Sequence, residues 1–479
     1  SGRQSQGPPF FPGYQPPAQS AIFRIEEDDP AIRYNGQPFT RTAQSWVRSV
    51  TARVSDAQVI YSQTANDTVS LDFTGSWIGV GFATDLRGGQ AQIAIDGAVV
   101  ANVDLYTRFD DTASYYFDGL NAGLHTITVT VLGTRHPNSS SNRVHLDFFD
   151  VWDGQPLADG VFQEDNARVL YGEPWGRTTN AGASGGADAS TVNSTAWVPF
   201  TGNSVTYQAW TSGGWDLAEI RIDGASQGRV SLYSLEQTTR TFSFDGLGAG
   251  PHVMEIRQYR YNASLDALIT PAVGPAYQPP PAPAIVRHEE DHPDMRYNGY
   301  PYRQMPQSWG FDGHWQSSGA INVANGEAGA VWNLTFVGSW VNVGFRSSAS
   351  SGQAEVFIDG TSWGVINTAN GVNDAKSFVL PGLITGTHTI SVVVVSGTVY
   401  PDYMDVWNGG LTSEGWYDLD PEDESGRVHF SLKGWLGRAE NQYAYDGDYI
   451  DTFVSSNSNA WFSFVGNDLT VLGYNRDGT

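Results

Sequence analysis

Carboxylates recur in matched clusters along this chain. Glu26, Glu27 and Asp28 stand near the start of one segment, with Asp147 and Asp150 near its end; Glu289, Glu290 and Asp291, then Asp402 and Asp405, repeat the arrangement. Hard oxygen donors grouped in this way suit Ca2+, provided that the two ends of each segment meet in the fold. The metal set expected on these grounds is Glu26, Glu27, Asp147 and Asp150, with Glu289, Glu290, Asp402 and Asp405 as its second copy. The competing reading is a solvated acidic edge with Arg24 or Arg33 as partners.

Other residue patterns offer chemistry that their surroundings deny. His288-Glu289-Glu290-Asp291-His292 spells the zinc protease motif, which needs both histidines one turn apart on one helix face. Pro293 disfavours the α conformation at His292, and the matching segment has Ile25 and Asp29 at the two histidine positions. Gly182-Ala183-Ser184-Gly185-Gly186 matches the nucleophile elbow but sits in a low-complexity loop rather than between a strand and a helix. No pair of carboxylates is marked as a glycosidase acid and nucleophile, so no enzymatic activity is expected.

Trp46 and Trp309, Trp77 and Trp340, and Trp152 and Trp407 match across the repeats, and equivalent tryptophans are more often core than sugar platforms. Tyr106 and Tyr233, each about ten residues beyond an Asp-Gly turn, are the carbohydrate-binding candidates, with core capping as the competing explanation. His125, His252 and His388 are expected to satisfy turn carbonyls.

These residues are positioned by a repeat. Gly119-Leu120-Asn121-Ala122-Gly123-Leu124-His125 returns as Gly246–His252 and Gly382–His388, roughly 25 residues after Asp96-Gly97, Asp223-Gly224 and Asp359-Gly360 respectively. Steps of 127 residues (119 to 246) and 263 residues (119 to 382) are the size of small domains rather than solenoid units. Alternating runs such as Thr68–Phe73 and Thr126–Val131 read as short strands, and no amphipathic helix of three turns stands out. The fold class expected is all-β: tandem antiparallel β-sandwich (jelly-roll) modules. Their spans are 23–155, 160–270 and 285–409, with a partial fourth at 415–479. Pro-rich segments at 1–22 and 271–284 read as extended lead and linker.

Composition narrows the functions. A net charge of −25 argues against nucleic acid, and zero cysteines exclude disulfides and thiolate metal sites. No stretch approaches 18 apolar residues. The chain opens Ser-Gly-Arg-Gln with neither Met nor a signal h-region, the pattern of a processed N-terminus.

Phe-Thr-Gly-Ser-Trp-Ile-Gly-Val-Gly-Phe, then Ile-Asp-Gly, Tyr106, Gly-Leu-x-x-Gly-x-His and Leu-Asp-Phe-Phe-Asp-Val together resemble a family of bacterial jelly-roll modules. These are similar to carbohydrate-binding modules, and occur appended to glycosidases and in large surface proteins. The resemblance implies sugar binding, calcium-stabilised scaffolding or a plain structural role, with a structural calcium at the meeting of first and last strands. The leading expectation is a non-catalytic extracellular surface protein, structural or adhesive, whose partners are copies of itself or cell-surface polysaccharide. Head-to-tail assembly into filaments is expected from residues 415–479, which carry only opening strands. The alternative expectation is a polysaccharide-binding segment of a larger secreted glycosidase.

Overall fold

Alternation decides which faces of the strands turn inward. In Thr68–Thr74, Val69, Leu71 and Phe73 are buried while the residues between them face outward. The structure is a computed structural model. It describes residues 22–410 apart from 40–44, 52, 153, 173, 192–193, 213–216, 233, 235–236, 259–261, 277–283, 315–316 and 372–373. Beyond 410 it describes 428–430, 435–440, 448–452, 460–462, 464–466 and 469. The chain divides into two units, 1–278 and 279–479. Among the described residues the regular structure is antiparallel strand with short 3-10 turns, and no helix is long and apolar enough to cross a membrane.

In unit one, module one is two facing sheets. One runs in the order Val47–Val50, Gln58–Ser62, Val144–Trp152, Ile78–Thr84, Asp111–Phe117, with Ile22–Glu26 also paired to Val144–Trp152. The other runs Arg33–Tyr34, Thr68–Thr74, Leu124–Arg135, Gly89–Ile95, Ala98–Asp104. Between them lies one apolar core that includes Trp46, Leu71, Phe82, Ile93, Val129 and Phe149. The first and last strands are neighbours in register: Arg24 opposes Asp150 and Glu26 opposes Phe148. The two ends of the module therefore meet, as the acidic clusters require.

Module two repeats this plan with Gly160–Gln163 against Ala267–Thr270. The expected spacer from 271 begins as part of that module: the Ala272 and Val273 N–H groups donate to Ser204 Oγ (3.2 Å) and Thr206 Oγ1 (2.9 Å). In unit two, Ile285–Glu289 pairs with Pro401–Trp407 in the same way. Each Asp-Gly pair forms a hairpin turn with both residues at positive φ (51° and 78° at Asp96-Gly97), the geometry that favours Asp-Gly there.

The Gly-x-Gly of Ile78–Thr84 has a packing cause. A Cβ on Gly81 would stand 2.4 Å from the Phe148 ring, and one on Gly79 would stand 2.6 Å from Tyr116. The glycines leave a trough in which those rings lie, and module two covers them. Ile22, Trp77 and Phe148 of module one share a buried cluster with Trp197 and Val253 of module two. Strand Ile78–Thr84 is consequently buried on both faces.

Unit two contains the counterpart of this joint. Ala460–Phe462 pairs with Val428–Phe430, His429 opposing Trp461, as Leu170 opposes Trp197 in module two. Most of 415–479, and with it the expectation of an incomplete sandwich, lies outside the described residues.

Candidate metal centre

Two of the eight expected ligands belong to the joints instead. Asp150 accepts from Arg24 through both oxygens, Nε to Oδ1 and Nη2 to Oδ2, each 2.8 Å, and both side chains are 1% exposed. The guanidinium lies 3.3 Å above the Phe148 ring centroid and 4.8 Å from that of Trp197. Asp405 and Arg287 repeat the pair at 2.7 and 2.9 Å, with Tyr403 at 3.6 Å and Trp461 at 5.4 Å from the guanidinium. Register is the cause. Arg24 and Asp150 face each other across the sheet, so the arginine takes the lone pairs that a metal would need.

Five of the remaining six acids converge. Glu289, Glu290 and Asp402 in module three, and Glu26 and Glu27 in module one, the latter two with Asp56, which the sequence did not single out, in place of Asp147, each bring one oxygen per residue within 4.8 Å of the others in its group. A serine ties each cluster together. Ser55 Oγ donates to Glu26 Oε1 (2.8 Å) and its N–H to Asp147 Oδ2 (3.2 Å); Ser318 does the same for Glu289 (2.6 Å) and Asp402 (3.1 Å). Spacing held this signal, since Glu26 to Ser55 and Glu289 to Ser318 are both 29 residues, but no motif marked either serine.

In module one, Glu26 Oε2, both Glu27 oxygens and Asp147 Oδ1 are enclosed and meet no hydrogen-bond donor among the described residues. Burial pushes the Glu26 carboxyl up to about 8 and the Glu27 carboxyl up to about 9, and holds Asp147 well above the usual carboxylate range. Buried carboxylates of this kind are ordinarily paired or coordinate a cation. All donors are hard oxygens, so the residues fit Ca2+.

Module two is an internal control. Ser184 occupies the serine position, its N–H donating to Asp266 Oδ2 at 3.1 Å and its Oγ accepting from Gln163 Nε2 at 3.0 Å. A neutral Gln163 thus stands where Glu26 and Glu289 stand, and Arg177 Nε donates to Glu164 at 2.6 Å. The protein supplies its own cation there. This also gives Gly182–Gly186 a role, as the capping turn of that corner.

Tyr106 is fully buried and stacked 4.7 Å from His136, so its ring has no free face for a sugar; the loop folds back and uses it as a cap. Tyr233 lies outside the described residues. Trp46, Trp77 and Trp309 are core side chains. The aromatic that sequence reasoning passed over is Trp363, 46% exposed beside Val365 at 55% on Thr361–Asn367. Module one has Val100 and Asn102 at these positions, and module two has Gln227 and Arg229.

The turn histidines do satisfy carbonyls, and they also hold the Asp-Gly turns. His125 Nδ1 donates to Asp96 (2.6 Å) and Nε2 to Asn121 O (2.6 Å); His252 and His388 do likewise with Asp223 and Gly248, and with Asp359 and Ile384. Two acceptors on one ring call for two N–H groups, hence imidazolium. The Asn121 carbonyl and then Asp96 raise His125, and Asp359 and then Ile384 raise His388. His252 is lowered by burial but lifted further by Asp223 and Gly248, for a net rise. A raised histidine stabilises the fold fully below its unfolded value of about 6.5 and loses that contribution as pH climbs through the folded value. Asp96 and Asp359 are lowered, so their share is lost only as pH falls through those lower values. NMR titration should find His125 and His388 above the ordinary histidine range, and Asp96→Asn should bring His125 down. A native His125 titrating at or below that range would show that the clamp does not form.

No family profile matches the chain. It is similar to the A type blood alpha-D-galactosamine galactosaminidase of Flavonifractor plautii, 23% identical over 391 residues, covering 79% of this chain and 33% of that protein. The chain therefore spans about a third of that relative's length. Solved structures with a likeness include a family 35 carbohydrate-binding module from Clostridium thermocellum (20% identity, 26% of this chain, 95% of that one, TM-score 0.20). They also include the C-terminal CBM6 of the laminarinase LamC from Zobellia galactanivorans (14%, 25%, 97%, 0.20). A xanthan lyase from Paenibacillus matches over 82% of this chain and 36% of its own, at 12% identity and TM-score 0.21.

Proposed function

We propose that this chain is a non-catalytic, carbohydrate-binding segment of a larger secreted glycosidase, with calcium tying first to last strand within module one and, separately, within module three. The observation that carries the reading is the 391-residue similarity to a galactosaminidase, which runs through successive modules while spanning a third of that enzyme. In this reading the modules hold the larger enzyme on its substrate, a role that rests on the site rather than on the fold. Trp363 supplies an exposed indole face for a pyranose ring. Carboxylates of modules one and three take Ca2+, while Arg177 makes module two independent of it. The expectation of self-assembly has no supporting observation, and the adhesive reading is set behind this one.

The test is binding of the full chain to insoluble polysaccharides and to a glycan array that includes A type blood-group glycans. Saturable binding is expected, weakened at least about tenfold by Trp363→Ala, equivalent to about 1.4 kcal/mol. Absence of binding to every glycan would overturn the carbohydrate reading. Binding that Trp363→Ala leaves unchanged would move the site elsewhere.

A further inference from the structure

Modules one, two and three close one corner in three different ways. The corner follows the first strand, at positions 25, 29 and 31 of module one. There Ile25 packs against the core, and Asp29 Oδ1 accepts the Ala31 N–H at 2.7 Å. Module two has Phe162, Asn166 and Arg168: the Asn166 Oδ1 accepts the Arg168 N–H at 3.0 Å, and the guanidinium lies 4.0 Å over the Phe162 ring. Module three carries His288, His292 and Asp294 at the same three positions. Module one offers one potential metal donor at these positions and module two closes the corner with a cation–π contact, whereas all three positions of module three carry potential donors.

Their geometry converges. The His288 and His292 rings are 4.4 Å apart at 83°, and Asp294 Oδ2 lies 3.8 Å from His292 Nδ1. One ligand atom from each of the three falls within 4.8 Å of the other two. His288 Nδ1 is enclosed and has no hydrogen-bond partner among the described residues, where module one has a half-buried isoleucine packed against its core. An imidazole nitrogen placed in that environment without a partner carries a desolvation cost, which a metal bond removes. His292 Nδ1 accepts the Asp294 N–H at 3.2 Å, a long contact whose lone pair a metal would take.

We propose that His288, His292 and Asp294 form a site for a borderline divalent transition metal such as Zn2+, with water completing the coordination. Two imidazoles and a carboxylate suit Zn2+, whereas Ca2+ prefers the all-oxygen cluster beside it. The two sites are separated by strand alternation. His288 opposes Met404 of the core, while Glu289 turns to Ser318 on the other face. For the same reason the site is not a zinc protease centre: the histidines sit on a strand and the turn after it, and Glu289 points away from the metal.

The experiment titrates the calcium-saturated full chain with Zn2+ alone by calorimetry, and with Co2+ by visible absorption. The control replaces the corner with module one's residues, His288→Ile, His292→Asp and Asp294→Ala, a set that the same backbone already accommodates. One equivalent of Zn2+ and the tetrahedral Co2+ spectrum are expected in the native chain and lost in the triple variant. Without Zn2+, the circular dichroism spectrum and the cooperative melt of the triple variant should match those of the native chain, which shows that module three is still folded. Equal Zn2+ uptake by both chains, meaning adventitious surface histidines only, would overturn the proposal, as would no uptake by the native chain.

Discussion

Asp150→Asn is expected to destabilise unit one by about 3–5 kcal/mol, the usual cost of removing one partner from a buried ion pair. Both oxygens of Asp150 serve Arg24, and both side chains are almost wholly enclosed. The variant leaves a guanidinium held between Phe148 and Trp197 without its bidentate carboxylate partner. Because Trp197 belongs to module two, the loss falls on the joint as well as on module one. A paired change to apolar residues, Arg24→Met with Asp150→Leu, should recover most of the loss, since no charge is then buried. Urea unfolding of the full chain measures both. Asp150→Asn within about 1 kcal/mol of native would mean that the pair is solvated and the joint is not built on it. Asp405→Asn should act in the same direction in unit two.

Calcium should have an effect of similar size through a different route. A cation that binds only the folded state at about a thousand times its Kd stabilises by about 4 kcal/mol per site. Calcium-loaded and chelated chains should therefore melt at clearly different temperatures. Glu27→Gln should abolish the response of module one, and Glu290→Gln that of module three. Glu164→Gln in module two should leave the calcium response intact, because Arg177 already neutralises that corner. Identical melting with chelator and with excess calcium would remove calcium from the carboxylate clusters of modules one and three.

Local signals made much of this molecule legible in advance. The Asp-Gly turns, the alternating strands and the Gly-Leu-x-x-Gly-x-His copies announce antiparallel sandwiches, because turn φ values and side-chain alternation are properties of a few adjacent residues. The meeting of first and last strands followed from the jelly-roll resemblance, and six of the eight expected acids lie at that corner.

The sorting of those acids was a tertiary decision. Asp147 and Asp150 are three residues apart on one strand, yet one caps on Ser55 and the other binds Arg24. Which lone pairs remain for a cation depends on cross-strand register, and sequence spacing carries no record of it. Tyr106 resembled a loop platform until the fold closed over it, since exposure depends on every element packed nearby. Trp363 is the converse: a strand residue that reads as core by type, left exposed because Thr361–Asn367 is the edge strand of its sheet and is uncovered along nearly its whole length. The chain by itself determined the repeat, the sandwich fold and the kinds of donor available. Which donors meet, and which an arginine, a serine or a neighbouring module takes first, was decided only when residues more than a hundred positions apart were brought to one corner.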